Sequence, residues 1–229
     1  MVTTEPKPAE AAQASAVPDA PTRPVGPFVL RLPPEWRLTD DAFHRIGLLN
    51  EMLDLERTAE GELVIAPQPV GRSPRAGSHI HIEVGIWAKT GGGGYVGESS
   101  QAFRLGAQSA ELEPENEQVE LRAPDVSWIS QEQFDALSEF ELEDGYPSVA
   151  PEFVVEVISS SQTVASQQRK MDLWMSYGVQ LGWLIDPKRE LVWIYRAGQE
   201  QPELLERPDT LSGEDVMQGF TLDCSLIWS

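Results

Sequence analysis

One glutamate constrains this chain more than any other residue: Glu156, inside Phe153-Val-Val-Glu-Val-Ile158. Apart from it the segment is wholly apolar, the pattern of a strand covered on both faces. An ionised carboxylate in such a strand is costly to desolvate unless a counter-charge or a metal ion receives it. The bland alternative is an edge strand that turns a single glutamate to solvent.

The residues after Glu156 fix much of the architecture. Val164 to Tyr177 carries helical spacing, Gly178 supplies a C-terminal stop, and Leu181-Gly-Trp-Leu-Ile-Asp186 reads as a second buried strand. A strand, a helix and a strand in succession predict a right-handed crossover with both strands in one sheet. Another strand, Glu190 to Arg196, comes after the turn Pro187-Lys-Arg189.

Upstream, Thr39 caps an expected helix over residues 39–50, with Asp40 and Asp41 in its first turn. Leu53–Arg57 and Glu62–Ala66 flank Ala59-Glu-Gly61 and predict a hairpin. A helix is expected from Arg75 to Lys89, stopped by the glycines at 91–94. Short strands are expected at Tyr95-Val-Gly97, Ala102-Phe-Arg-Leu105 and Asp125–Ser130, the last leading into a short helix capped by Ser130. The expected fold class is a mixed α/β domain over residues 28–229. Residues 1–27, rich in Ala, Pro, Thr and Glu, are expected to form a disordered tail.

Charge narrows the function classes. A formal charge of −20 and a pI near 4.4 oppose a broad basic surface for nonspecific duplex binding, although a bound metal cancels charge locally. Many of the acids fall at Glu111–Glu120 and Glu139–Asp144, read as solvated loops. The single cysteine, Cys224, excludes an internal disulfide and a cysteine zinc cluster. With no membrane-length apolar run and no basic-then-apolar leader pattern, the expectation is a soluble cytoplasmic protein.

The candidate chemistry is an ordered set of two acids and a lysine. Asp125 opens a strand in Arg122-Ala-Pro-Asp-Val-Ser-Trp128, Glu156 lies in the next apolar strand, and Lys170 sits on the helix after it. Converging carboxylates suit a hard ion, Mg²⁺ first and Mn²⁺ second, and a nearby ammonium can orient water or stabilise a developing phosphorane. That is the apparatus of a metal-dependent phosphodiesterase. Each residue has a plainer reading: Asp125 as turn or cap, Lys170 and Gln168 as solvated helix positions, Glu56 as the solvent-facing member of an alternating strand. Glu62 reads as turn chemistry. His79 and His81, two apart on a helix, do not share a face for zinc. The glycines at 91–94 lack a following Lys-Ser or Lys-Thr, and the serines at 159–161 lack a glycine-flanked elbow.

A longer series of motifs, from about Leu38 to Trp228, resembles the Uma-type restriction endonuclease family of the PD-(D/E)XK nuclease superfamily, widespread in bacteria. The series runs through Leu55-Glu-Arg-Thr58 with Gly61-Glu-Leu63, Gly97-Glu-Ser-Ser-Gln-Ala-Phe103, Pro124-Asp-Val-Ser-Trp128 and Pro151-Glu-Phe-Val-Val-Glu-Val157 with Ser159. It continues with Gln168-Arg-Lys-Met171, Gly182-Trp-Leu-Ile-Asp-Pro187, and Leu211-Ser-Gly-Glu-Asp-Val216 with Gly219-Phe220. The resemblance implies a restriction-endonuclease-like core, a central mixed sheet flanked by helices, and Mg²⁺-dependent cleavage of DNA. Asp125 matches the first acid and Glu156 the second, both as metal ligands. The superfamily's usual lysine, two residues after the second acid, is Ile158 here, and Lys170 matches a lysine of this family's own pattern. Glu56 matches an early glutamate implied to complete the metal shell, and Gln168 a supporting polar position. Pairing into a homodimer is implied for cutting both strands. The competing expectation is a catalytically silent binding or regulatory module of the same fold.

Overall fold

The computed structural model describes residues 27–33, 35–36, 38–67, 72–106, 119–143 and 145–228. In chain order the elements are β1 (Phe28–Leu30), α1 (Asp40–Leu49), β2 (Leu53–Arg57), β3 (Leu63–Pro67), α2 (Arg72–Trp87), β4 (Tyr95–Glu98), β5 (Phe103–Leu105) and β6 (Glu120–Arg122). Next come β7 (Val126–Ile129), α3 (Gln131–Asp135), α4 (Glu139–Glu143), β8 (Phe153–Val157), α5 (Val164–Ser176), β9 (Leu181–Asp186), β10 (Leu191–Arg196), β11 (Glu203–Glu206), β12 (Thr210–Ser212) and β13 (Thr221–Asp223).

The central sheet runs β11-β10-β9-β8-β7-β4. Its strands pair antiparallel except β8 and β9, which are parallel with Glu156 opposite Leu184, as a crossover through α5 requires. A second sheet, β1-β3-β2-β6-β5, is wholly antiparallel, and β12 and β13 form a small ribbon.

Period-two alternation divides β8 between two cores. Phe153, Val155 and Val157 pack with Ala76, Ile80 and Val84 of α2 and with the C-terminal Met217, Phe220 and Leu222. Val154 faces the opposite way, with Met171 and Trp174 of α5. Glu156, two residues on from Val154, therefore points toward α5. Every residue of β8 and β9 is buried, which disposes of the edge-strand reading of Glu156.

Local chemistry explains most boundaries. Thr39 Oγ1 accepts from the Ala42 amide at 3.2 Å to start α1, Ser130 Oγ caps α3, and Thr163 with Ser166 closes a capping box on α5. Gly178, at φ 103, ends α5 in a conformation that side chains resist.

Some sequence expectations are corrected. Helix α2 begins at Arg72, not Arg75, and passes at Ala88–Gly92 into a π-helical turn whose Gly91 sits at φ 142. Glu120 is no loop residue: it is buried in β6, a strand too short for alternation to reveal. Residues 139–143 form α4. The acidic stretch at 107–118, Asp144 and all of the expected tail except Pro27 lie outside the described residues. Among the described residues no helix is long and apolar enough to cross a membrane.

Candidate active site

The two acids meet because β7 and β8 pair antiparallel with Val126 opposite Val155. Asp125, one residue before Val126, is thereby set beside Glu156, one residue after Val155. Asp125 Oδ2 accepts from the Val157 amide at 2.6 Å, which locks the carboxylate against β8.

On α5, Gln167, Lys170, Met171 and Trp174 share one face by 3.6-residue spacing. Met171 and Trp174 anchor it in the core, and Lys170 is carried with them. Its ammonium donates to Glu156 Oε1 at 2.9 Å, Glu56 Oε1 at 2.8 Å and the Ala123 carbonyl at 2.9 Å. The side chains of Glu156 and Lys170 are 3% and 18% exposed, so neither is a solvated surface group. Trp174, one turn beyond Lys170, donates from Nε1 to the same Glu156 Oε1 at 2.9 Å.

The second sheet closes the site from the other side. Glu56 of β2 is not solvent-facing: its Oε2 takes Nη1 of Arg122 at 2.6 Å while its Oε1 takes Lys170. Arg122 Nε in turn donates to Glu120 Oε2 at 2.6 Å. Asp54, two residues before Glu56 on the same face of β2, also lines the cleft, as do Arg169 and Gln167. The cleft has a volume of about 1420 Å³. Gln168 does not line it. The glutamine turned inward is Gln167, 5% exposed, because position 167 and not 168 shares the Lys170 face.

Electrostatics separate the acids. Burial pushes Glu156 up to about 7; Lys170 opposes this, while Asp125 and Glu56 reinforce it. Burial likewise raises Asp125 against Lys170 and the Val157 amide, and raises Asp54. For Glu56 burial acts upward too, but Lys170 and Arg122 prevail and hold it below the usual carboxylate range. Lys170 is raised: burial favours the neutral amine, yet Glu156, Glu56 and Asp125 together outweigh it. The three carboxylates thus keep the lysine protonated near neutral pH.

Does this set of residues fit a divalent ion? Among the described residues no three His, Cys, Asp or Glu side chains are disposed to hold one by themselves. Hydrogen bonds engage Asp125 Oδ2 and Glu156 Oε1 and, among the described residues, leave Asp125 Oδ1 and Glu156 Oε2 free. Five carboxyl groups (Asp54, Glu56, Glu120, Asp125, Glu156) lie about Lys170 and Arg122, with Arg169 also lining the cleft, so acids outnumber cations there. Two available carboxylate oxygens and this surplus of acids suit a hard ion that keeps water and substrate oxygens in its shell.

Asp125, Glu156, Lys170 and Glu56 are thus brought together as the sequence suggested, and Gln168 is not. Sequence reasoning missed Asp54, Arg122, Gln167 and Trp174. The i,i+4 spacing from Lys170 to Trp174 carried that information, whereas the role of Arg122 depends on the pairing of β2 with β6.

The mixed sheet flanked by helices, with β8 and β9 joined through α5, is a nuclease-like fold. The crystal structure of "a putative nuclease belonging to DUF820 from Anabaena variabilis ATCC 29413" shares this fold with a TM-score of 0.59, 20% sequence identity, and coverage of 76% of this chain and 89% of that one. The family model described as "Uma2: Putative restriction endonuclease" matches residues 40–225, and the chain belongs to that family. No curated protein matches it.

Proposed function

We propose that this protein is a Mg²⁺-dependent endonuclease that hydrolyses phosphodiester bonds in DNA, with Mn²⁺ as an alternative ion. The observation that carries the reading is the meeting of Asp125, Glu156 and Lys170 from three separate elements at one buried, accessible point. Asp125 and Glu156 are the residues that would hold the ion. Bound there, it would polarise a phosphoryl oxygen and lower the pKa of a coordinated water.

The protein's own groups supply the rest. Lys170 stays charged and stabilises the negative charge that develops on the phosphorus oxygens. All three of its N–H donors are engaged, so contact with substrate requires giving one up. The neutral Ala123 carbonyl is the weakest acceptor of the three, and that bond is the one exchanged. Trp174 and Lys170 hold Oε1 of Glu156, so Oε2 is the oxygen that would meet the ion. The overall charge of −20 disfavours a long nonspecific duplex footprint, so binding rests on the local cations, among them Arg169.

The test is calorimetric titration of Mg²⁺ and Mn²⁺ into wild type, Asp125→Ala and Glu156→Ala, and then nicking of supercoiled plasmid by the same samples. Binding and nicking by wild type alone support the proposal. Nicking that persists in both variants overturns it, and wild-type binding without nicking points to the silent module.

A further inference from the structure

We infer that Glu56 is a positioning residue for Lys170 and not a ligand of the metal, in contrast to what the family resemblance implies; the inference rests on the nuclease reading for its catalytic consequence. Both oxygens of Glu56 are already committed to cations, Oε1 to Lys170 at 2.8 Å and Oε2 to Arg122 at 2.6 Å. An ion bound at Glu56 would have to displace one of them. Asp125 and Glu156 differ in each keeping one oxygen outside the hydrogen-bond network of the described residues.

The need for such a residue arises from the lysine. Four rotatable carbons leave an ammonium free to wander unless acceptors fix it from several directions. Ala123 and Glu156 hold Nζ from the central sheet and its approach, and Glu56 holds it from the second sheet. Without Glu56 the remaining carboxylate acceptor is Glu156, and the ammonium would settle on the group needed for the metal. Glu56 is itself held by Arg122, whose other nitrogen is anchored on Glu120. The chain Glu120–Arg122–Glu56–Lys170–Glu156 thus ties β6 and β2 to α5 and β8, and it gives the second sheet a part in the reaction.

The experiment compares wild type, Glu56→Gln, Lys170→Met, the double variant and Glu156→Gln. Glu56→Gln is nearly isosteric and keeps an acceptor for Arg122. In ¹⁵N-labelled wild type, three acceptors should make the Lys170 ammonium protons slow to exchange and visible by NMR; in Glu56→Gln that signal should broaden or vanish. Mn²⁺ titration should show one binding event in Glu56→Gln and none in Glu156→Gln. The kcat of Glu56→Gln should fall by about tenfold or more with KM little altered, and the double variant should be no slower than Lys170→Met alone. Loss of metal binding in Glu56→Gln, multiplicative losses in the double variant, or a Lys170 signal that is absent from wild type or unmoved by the substitution would each overturn the inference. If wild type binds metal but never cuts, the nuclease reading fails, while the NMR and titration arms still decide the role of Glu56.

Discussion

Replacing Lys170 by Met tests the electrostatic construction of the site without reference to any substrate. The substitution keeps an aliphatic side chain of comparable length and removes the cation shared by Glu56 and Glu156. Breaking a buried pair by deleting one partner costs about 3–5 kcal/mol, because the other charge stays buried and uncompensated. The cost should depend on pH with a defined sign. Glu156 titrates at about 7 in the fold against 4.5 ordinarily, so the folded state holds its proton longer than the unfolded chain. Such an acid lowers stability as pH climbs through that window, at about 1.4 kcal/mol per pH unit, and its effect is complete once the folded value is passed. In wild type it is half complete at pH 7 and complete about one pH unit higher. Lys170 is what restrains Glu156 from rising further, so in the variant the window extends upward and stability continues to fall above pH 7. The deficit should thus be larger near pH 8.5 than near pH 7. Urea denaturation of both proteins at the two pH values gives both quantities. A deficit under about 1 kcal/mol, or one that shrinks with rising pH, would show that Lys170 does not hold the buried acids in this way.

Further perturbations probe other parts of the molecule. Trp174→Phe removes the indole donor to Glu156 and some buried ring volume, and should cost about 2–4 kcal/mol in urea titrations. Arg57, 1% exposed, donates to Asp40 and to the Leu38 and Val119 carbonyls, so Arg57→Met should cost about 3–5 kcal/mol and expose the α1 region to early hydrogen exchange. Neighbouring glycines should respond differently. At Gly94 a Cβ would lie 2.2 Å from the Ile129 carbonyl, so Gly94→Ala should lower stability by about 3 kcal/mol or more. At Gly93 nothing lies within 4 Å, and only its backbone conformation, φ +69 with ψ −170, penalises Gly93→Ala, by about 1–3 kcal/mol. Equal thermal shifts for the two would show that the close approach is not what matters.

How far the sequence reached depended on the range of the forces involved. Capping residues and 3.6-residue spacing act within a turn or two, so α1 and α3 were legible from Thr39 and Ser130, and α5 from its spacing and the stop at Gly178; the Thr163 capping box came only with the structure. The apolar runs of β8 and β9 with a helix between them specified a parallel crossover, because a right-twisted strand and a right-handed helix leave few alternatives. The interruption of β8 by Glu156 announced a carboxylate that, once buried, needs a partner. The identity of that partner was not local information. Only the tertiary structure set Asp125 beside Glu156 through the Val126–Val155 register, and only the second sheet brought Glu56 and Arg122 to the far side of Lys170. Short strands such as β1 and β6 carry too few residues for alternation to declare itself, and their place is decided by the neighbours they pair with. The difference between Gln167 and Gln168 has the same origin: one residue of helical phase, about 100° of rotation, decides which side chain meets the cleft, and packing against the sheet fixes that phase. The apolar run around Glu156 put a carboxylate in a strand of a mixed sheet by local pattern alone; long-range pairing decided that it is buried and which charges answer it.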